Sequence, residues 1–258
     1  MSKIYYTLLL VFYFVSAMQS QIIYYGNESV PCYPKVFHVS VHIVVDQGGV
    51  GSIESEELED DFELLNAFFE PLCWSFEMCK QDTIIDHSFT LLNRNRYTKL
   101  HEYYNDDHMV NLYYVSSASF QGFCHLAPQN GIEDPTSAYV VMGQNCLNND
   151  LIHKFCHMFG LTDTYNASSP ELVNGGNCTV AGDGLCSTPA DPYNPNSNIG
   201  YVNTRCQYIS EIKDANGEYY EPMVGNMMSS YRGCRDGLTV EQYRTMLDTY
   251  LTLTYTPW

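Results

Sequence analysis

The sequence predicts a mixed α/β fold: a twisted mixed sheet with helices in an upper part, followed by an irregular lower part tied by disulfides and closed by a C-terminal helix. Three observations predict it. Strand-like and helix-like segments alternate from Val36 to Gly160. Gly, Asn, Pro, Cys and Asp dominate from Asn174 to Asn203. A capped helical pattern then returns near the C-terminus, so order brackets an irregular stretch. With 258 residues, 45% of them hydrophobic and 14% aromatic, the chain has the material for a core and is not a disordered polymer.

Taken in order, the first twenty residues hold a single basic residue, Lys3, an apolar run from Leu8 to Val15 and small residues at Ala17 and Ser20. That is the layout of a secretory signal peptide over residues 1–20, with one domain expected over residues 21–258. Val36 to Val45 alternates and is β-branched, which predicts a half-buried strand ending in a buried one. Leu58, Phe62, Leu65 and Phe69 recur at helical spacing before Pro71 ends the pattern. Met109 to Val115 and Tyr139 to Met142 read as further strands. The upper part is expected to run to about residue 160 and the lower part to cover residues 161–258. Thr239-Val240-Glu241-Gln242 is a capping box, and Val240, Tyr243, Met246, Leu247 and Tyr250 continue it as a helix.

A formal net charge of −18 argues against nucleic acid and anionic membrane as partners, since both need clustered Lys and Arg. Basic proteins, peptides and divalent cations are electrostatically easier partners. No segment after the first twenty residues reaches the about 18 apolar residues of a membrane span. Ten cysteines fit an oxidising, extracellular compartment. Sequons begin at Asn27, Asn166 and Asn177 and are candidates for glycosylation.

The segment Leu151 to Tyr165, LIHKFCHMFGLTDTY, carries the chemistry. His153 and His157 are four residues apart and share a helix face, as two imidazoles that bind one Zn²⁺ must. Gly160 is placed to end that helix in a left-handed turn, which would return Asp163 toward the metal as a third ligand. The position after the first histidine, where a zinc hydrolase carries Glu, holds Lys154. Three other readings stand beside the metal site. Lys154 could pair with Asp163 and fill the site, Lys154 could pair with Asp150 on the helix surface, and Cys156 could serve as a thiolate ligand, as core packing or in a bridge.

This helix, together with Leu65-Asn66, the GFCHLAP loop from Gly122, GDGLCSTPAD from Gly182 to Asp191 and GNMMSSYRGCRDGLTVEQYRTM from Gly225 to Met246, resembles the pappalysin-like family of metzincin metallopeptidases. The segments occur in family order and span nearly the whole chain beyond the signal. The resemblance implies a metzincin fold, zinc held by His153, His157 and Asp163, and Met228 as the methionine of the Met-turn. It also implies disulfides between the loop after the zinc helix and the Met-turn segment. Among these we expect Cys178 with Cys206 and Cys186 with Cys234, and we expect a local bridge of Cys73 with Cys79. Asp183 and Asp191 fall in a segment that lies near calcium in some relatives, and hard oxygen ligands suit that ion.

Three departures bear on function. Lys154 replaces the general base, and a charged ammonium has no lone pair with which to accept a proton. Asp163 stands at the third-histidine position, where a carboxylate is an acceptable zinc ligand. Ser230 stands where the family often has Tyr, with Tyr231 one position late. The resulting expectation is a secreted pseudopeptidase that binds a protein or peptide. The alternatives are an active secreted zinc endopeptidase and a metal-free, disulfide-rich interaction module.

Overall fold

The computed structural model describes residues 23–25, 29–45, 48, 53–89, 91–92, 96–118, 125–126, 139–143, 146, 148–193 and 200–253. The expected signal peptide, the Asn27 sequon and most of the loop from Gly122 lie outside the described residues.

The chain begins with a short strand, β1 (Ile23–Tyr25), and the long strand β2 (Lys35–Val45). In β2, Phe37, Val39 and Val41 point into the main core while Ser40, His42 and Val44 are buried on the opposite face. Helix α1 (Ser55–Phe69) follows over the predicted span and buries Leu58, Leu65, Phe68 and Phe69. Pro71 sits in a 3-10 turn, Glu70–Leu72, after which β3 (Trp74–Ile85) runs parallel to β2. Then come β4 (Leu91–Leu92), α2 (Tyr97–Tyr104), β5 (Val110–Val115), β6 (Ser117–Ala118), β7 (His125–Leu126), β8 (Tyr139–Gly143) and α3 (Asn148–Met158). β9 (Gly237–Thr239) and α4 (Val240–Thr252) close the described chain.

The main sheet has the order β3-β2-β5-β8-β7, with every pair parallel except β7, which lies antiparallel to β8 at one edge. Helices α1 and α3 cover one face, and their apolar residues join Phe37, Val39, Leu112, Tyr114 and Met142 in one core. A smaller core with α2 covers part of the other face through Val44, Ile84, Leu100, Tyr113 and Val141. Asn66 ties α1 to the edge strand β3, because its side-chain amide accepts from Phe76 N at 2.6 Å and donates to Phe76 O at 3.1 Å. That pairing satisfies two backbone groups that an edge would leave open.

Between α3 and β9 the chain is turns and isolated bridges, as the composition predicts. Helix α4 has the predicted capping box, with Thr239 Oγ1 accepting from Gln242 N and Gln242 Oε1 accepting from Thr239 N. No helix among the described residues is long and apolar enough to cross a membrane.

The disulfide pairing differs from expectation. Among the described residues the bridges are Cys32–Cys73, Cys178–Cys186 and Cys206–Cys234. Cys73 cannot reach Cys79, because β3 is extended between them and six residues of strand span about 20 Å, three times the longest bridged Cα separation. Cys73 instead lies beside the segment before β2, where Tyr33 N donates to Leu72 O and Lys35 N donates to Cys73 O. The crossed pairing fails for a local reason. Turns at Gly182 and Gly184, both at positive φ, fold Cys186 back to Cys178 with a Cα separation of 5.0 Å. That leaves Cys206, itself in a left-handed turn, to pair with Cys234.

Candidate metal centre

Helix α3 is buried on nearly all sides, with Leu151, Phe155, Met158 and Phe159 in the main core. It ends in a Schellman turn: Gly160 N donates to His157 O, Leu161 N donates to Cys156 O, and Gly160 has φ 91. The chain reverses there and brings Asp163 to the histidines. His153 and His157 are each 3% exposed.

Each imidazole is oriented by a backbone carbonyl. His153 Nδ1 donates to Met227 O at 2.8 Å and His157 Nδ1 donates to Leu161 O at 2.7 Å. A carbonyl oxygen can only accept, so in the neutral rings the protons are on Nδ1 and both Nε2 atoms carry lone pairs. Those two Nε2 atoms are 3.1 Å apart. Asp163 Oδ1 stands 3.5 Å from one and 3.6 Å from the other, buried and without a hydrogen-bond donor among the described residues. In that tautomer two imidazole lone pairs and a carboxylate oxygen converge, all within 4.8 Å of one another, close enough for one cation to take all three. Two imidazole nitrogens and a carboxylate oxygen are also a donor set that Zn²⁺ takes, with carbonyl-oriented rings of the usual kind. The residues present fit a metal ion.

Lys154 is buried at 6% exposure, next along the helix from His153. Burial pushes its ammonium down to about 8, while Asp163 pulls it the other way. Its side chain makes no hydrogen bond or ion pair among the described residues, although its charge and that of Asp163 act on each other. Asp150, the other expected partner of Lys154, is taken by Arg232 and Arg235. Burial works against ionisation of Asp163, but its contact with His157 first, and then the charges of Lys154 and Arg235, outweigh it, so its carboxyl lies below the ordinary range. Cys156 is buried in the core with its thiol pushed up by burial, which makes it a packing residue rather than a ligand.

The Met-turn segment is held from several sides. Asn226 Oδ1 accepts from Met228 N, Asn226 Nδ2 donates to Gln242 Oε1, and Met227 N donates to Gly237 O. Met228 is fully buried, and its carbonyl accepts from Thr164 N in the loop after α3. Arg235 donates to Ser229 O as well as to Asp150, which ties the first turn of α3 to this segment. Tyr231 is fully buried and donates to Asp191 Oδ1 at 3.0 Å, away from the three acceptors, and the Ser230 hydroxyl has no partner among the described residues.

Asp183 accepts from Thr188 and from Leu185 N, and Asp191 accepts from Thr164 and Tyr231, so both act as loop ties. Burial raises them to about 6 and about 7. Asn166 is exposed and its Oδ1 accepts from Ser168 N and Ser169 N, whereas Asn177 is half-buried and its Nδ2 donates to Pro170 O. Sequence reasoning missed the Asp150–Arg232–Arg235 network and the two carbonyls that orient the histidines. No local pattern announces either.

No protein-family model and no curated protein matches the sequence. Solved structures do match. The chain is similar to mature mirolysin of Tannerella forsythia in complex with a cleaved peptide, at TM-score 0.59 and 13% identity over 84% of this chain and 91% of that one. It is also similar to mirolysin in complex with a small compound, at TM-score 0.61 and 13% identity over 88% and 95%, and to a promirolysin variant from the same organism, at 0.58 and 14% over 89% and 84%. Mirolysin is a metzincin-type metallopeptidase. At such identities the likeness is one of fold, and the fold of this chain is metzincin-like.

Proposed function

We propose that this chain is a secreted, pappalysin-like pseudopeptidase that holds zinc at His153, His157 and Asp163 and binds peptides in the cleft beside them. The convergence of two carbonyl-oriented imidazoles and a carboxylate on one point carries the reading. Zinc, when bound there, supplies Lewis acidity toward a carbonyl oxygen. The chain's own residues do the rest. Met227 O and Leu161 O hold the imidazoles in the ligating tautomer, and Arg235 fixes the helix that carries them to the Met-turn segment.

What is lacking is a proton acceptor at the position after His153. Burial lowers the Lys154 ammonium, but as long as it is charged it is a donor without a lone pair and takes no proton from an attacking water. Its ammonium suits a carbonyl or carboxylate oxygen of a bound peptide instead. A cleft of about 490 Å³ lined by Tyr208, Pro222, Met223 and Val224 reaches the Met-turn through Gly225 and offers an apolar side-chain site. That mirolysin is seen with a cleaved peptide favours peptide as the ligand class. The apolar leader at Leu8 to Val15 and the three disulfides favour secretion.

The test is cleavage of an unbiased peptide library by the wild type and by Lys154→Glu, with zinc content measured in parallel. The wild type should carry zinc and cleave nothing, His157→Ala should carry less zinc, and Lys154→Glu should gain activity of at least about tenfold. Chelator-sensitive cleavage by the wild type would establish an enzyme with another base. Equal zinc in the wild type and His157→Ala would remove the ligand assignment.

A further inference from the structure

We propose a second metal site, on the sheet face away from α3, formed by His38, Glu77 and Cys79 and taking a zinc-class divalent ion. Its origin is a bulge. β2 and β3 pair His38 with Glu77 and Val39 with Met78, but Ser40 with Lys80, so Cys79 is the extra residue. One inserted residue inverts the alternation of a strand. Trp74 and Phe76 accordingly lie in the main core, whereas Ile84, ten residues after Trp74, lies in the smaller core on the other side. The bulge thereby adds a thiol to the face that already carries His38 and Glu77.

The imidazole nitrogen, carboxylate oxygen and thiol sulfur of these residues lie within 4.8 Å of one another. A tetrahedral zinc with bonds of about 2.0–2.3 Å places its ligands about 3.5 Å apart, a distance that small side-chain rotations supply. All three residues are exposed and free to make them. None of the three side chains makes a hydrogen bond or ion pair among the described residues. The nearby triplet His42, Asp82 and Asp106 differs on this point, since Lys80 pairs with Asp106 at 2.8 Å and Asp82 at 3.3 Å and already supplies the positive charge. Mixed nitrogen, oxygen and sulfur donors select zinc-class ions over calcium and magnesium. The thiol gives its proton to solvent as the metal binds, and solvent completes the coordination. A metal here clamps the edge strand β3 to β2 at the bulge that interrupts their ladder.

The experiment is Co²⁺ titration of the secreted protein, read by the near-ultraviolet thiolate-to-cobalt charge-transfer band. His153, His157 and Asp163 contain no sulfur, so the band does not arise from them, and Cys79→Ser separates it from other cysteines, such as Cys146 and Cys156. The wild type and His157→Ala should both show it, and Cys79→Ser and His38→Ala should lose it with unchanged circular dichroism. Persistence of the band in Cys79→Ser overturns the proposal. So does its absence from wild type whose Cys79 titrates as a free thiol, or a Cys79-linked dimer on a non-reducing gel.

Discussion

Gly160 decides where Asp163 goes. Its φ of 91 is one that L side chains rarely adopt, and a Cβ there would stand 2.7 Å from Thr249 Oγ1 and 3.0 Å from Thr249 Cγ2, so no rotation of Thr249 clears it. Gly160→Ala should destabilise the fold by about 1–3 kcal/mol, read from the urea midpoint, and lower zinc content by displacing Asp163. Adding Thr249→Ala should recover the steric part and leave the backbone part. The role of Gly160 and the spacing of His153 and His157 were legible in the sequence, because a helix turn relates residues four apart. The proton position on each ring was not, because it depends on Met227 O, 74 residues from His153.

At the scale of elements, α1, β5, β8 and α4 lie within a residue or so of where periodicity and caps place them. β3 was not legible. The bulge at Cys79 breaks its alternation, and the charged residues Glu77, Lys80 and Asp82 on an exposed edge strand leave no apolar pattern to mark it. The packing of α1 on β5 contains a buried carboxyl, Asp61, which accepts from Tyr114 OH at 2.6 Å. Burial raises it from 3.8 to about 6, against the pull of the Tyr114 bond. The folded state therefore keeps a proton that the unfolded state has lost, and Asp61 is least harmful to stability below about pH 4. Its cost grows as pH rises to about 6. Relative to Asp61→Asn, the wild type should lose at most about 3 kcal/mol of unfolding free energy across that window, measured by urea denaturation at the two ends.

For the molecule as a whole, the disulfides carry a testable order. Cys32–Cys73, Cys206–Cys234 and Cys178–Cys186 close loops of 41, 28 and 8 residues. Chain entropy assigns them about 4, about 3.5 and about 2.5 kcal/mol. Replacing each pair by serine should lower the thermal midpoint in that order, and peptide mapping of the native protein should recover these three pairs. The longest of these loops pins the segment before β2 to the start of β3. The Arg235 link between Asp150 and Ser229 ties the zinc-type helix to the irregular part, so loss of Arg235 would leave Asp150 short of a buried counter-charge.

What the sequence by itself determined is local. The helix over residues 55–69, the capping box at Thr239, the pair of histidines on one helix face and the glycine stop all rest on interactions between residues a few positions apart. Composition likewise marked the irregular stretch. What only the tertiary structure decided depends on distances between residues far apart in the chain. The pairing of the cysteines, the arginines that hold Asp150 across 82 and 85 residues, and the face on which Cys79 emerges are of this kind. The burial of Lys154 without a hydrogen-bond partner among the described residues belongs with them. Which neighbours reach a side chain is set by packing, and the sequence offered Asp150 and Asp163 as partners with equal plausibility. Packing gave Asp150 to the arginines and turned Asp163 toward the histidines, because buried charges settle where opposite charge or ligand geometry meets them.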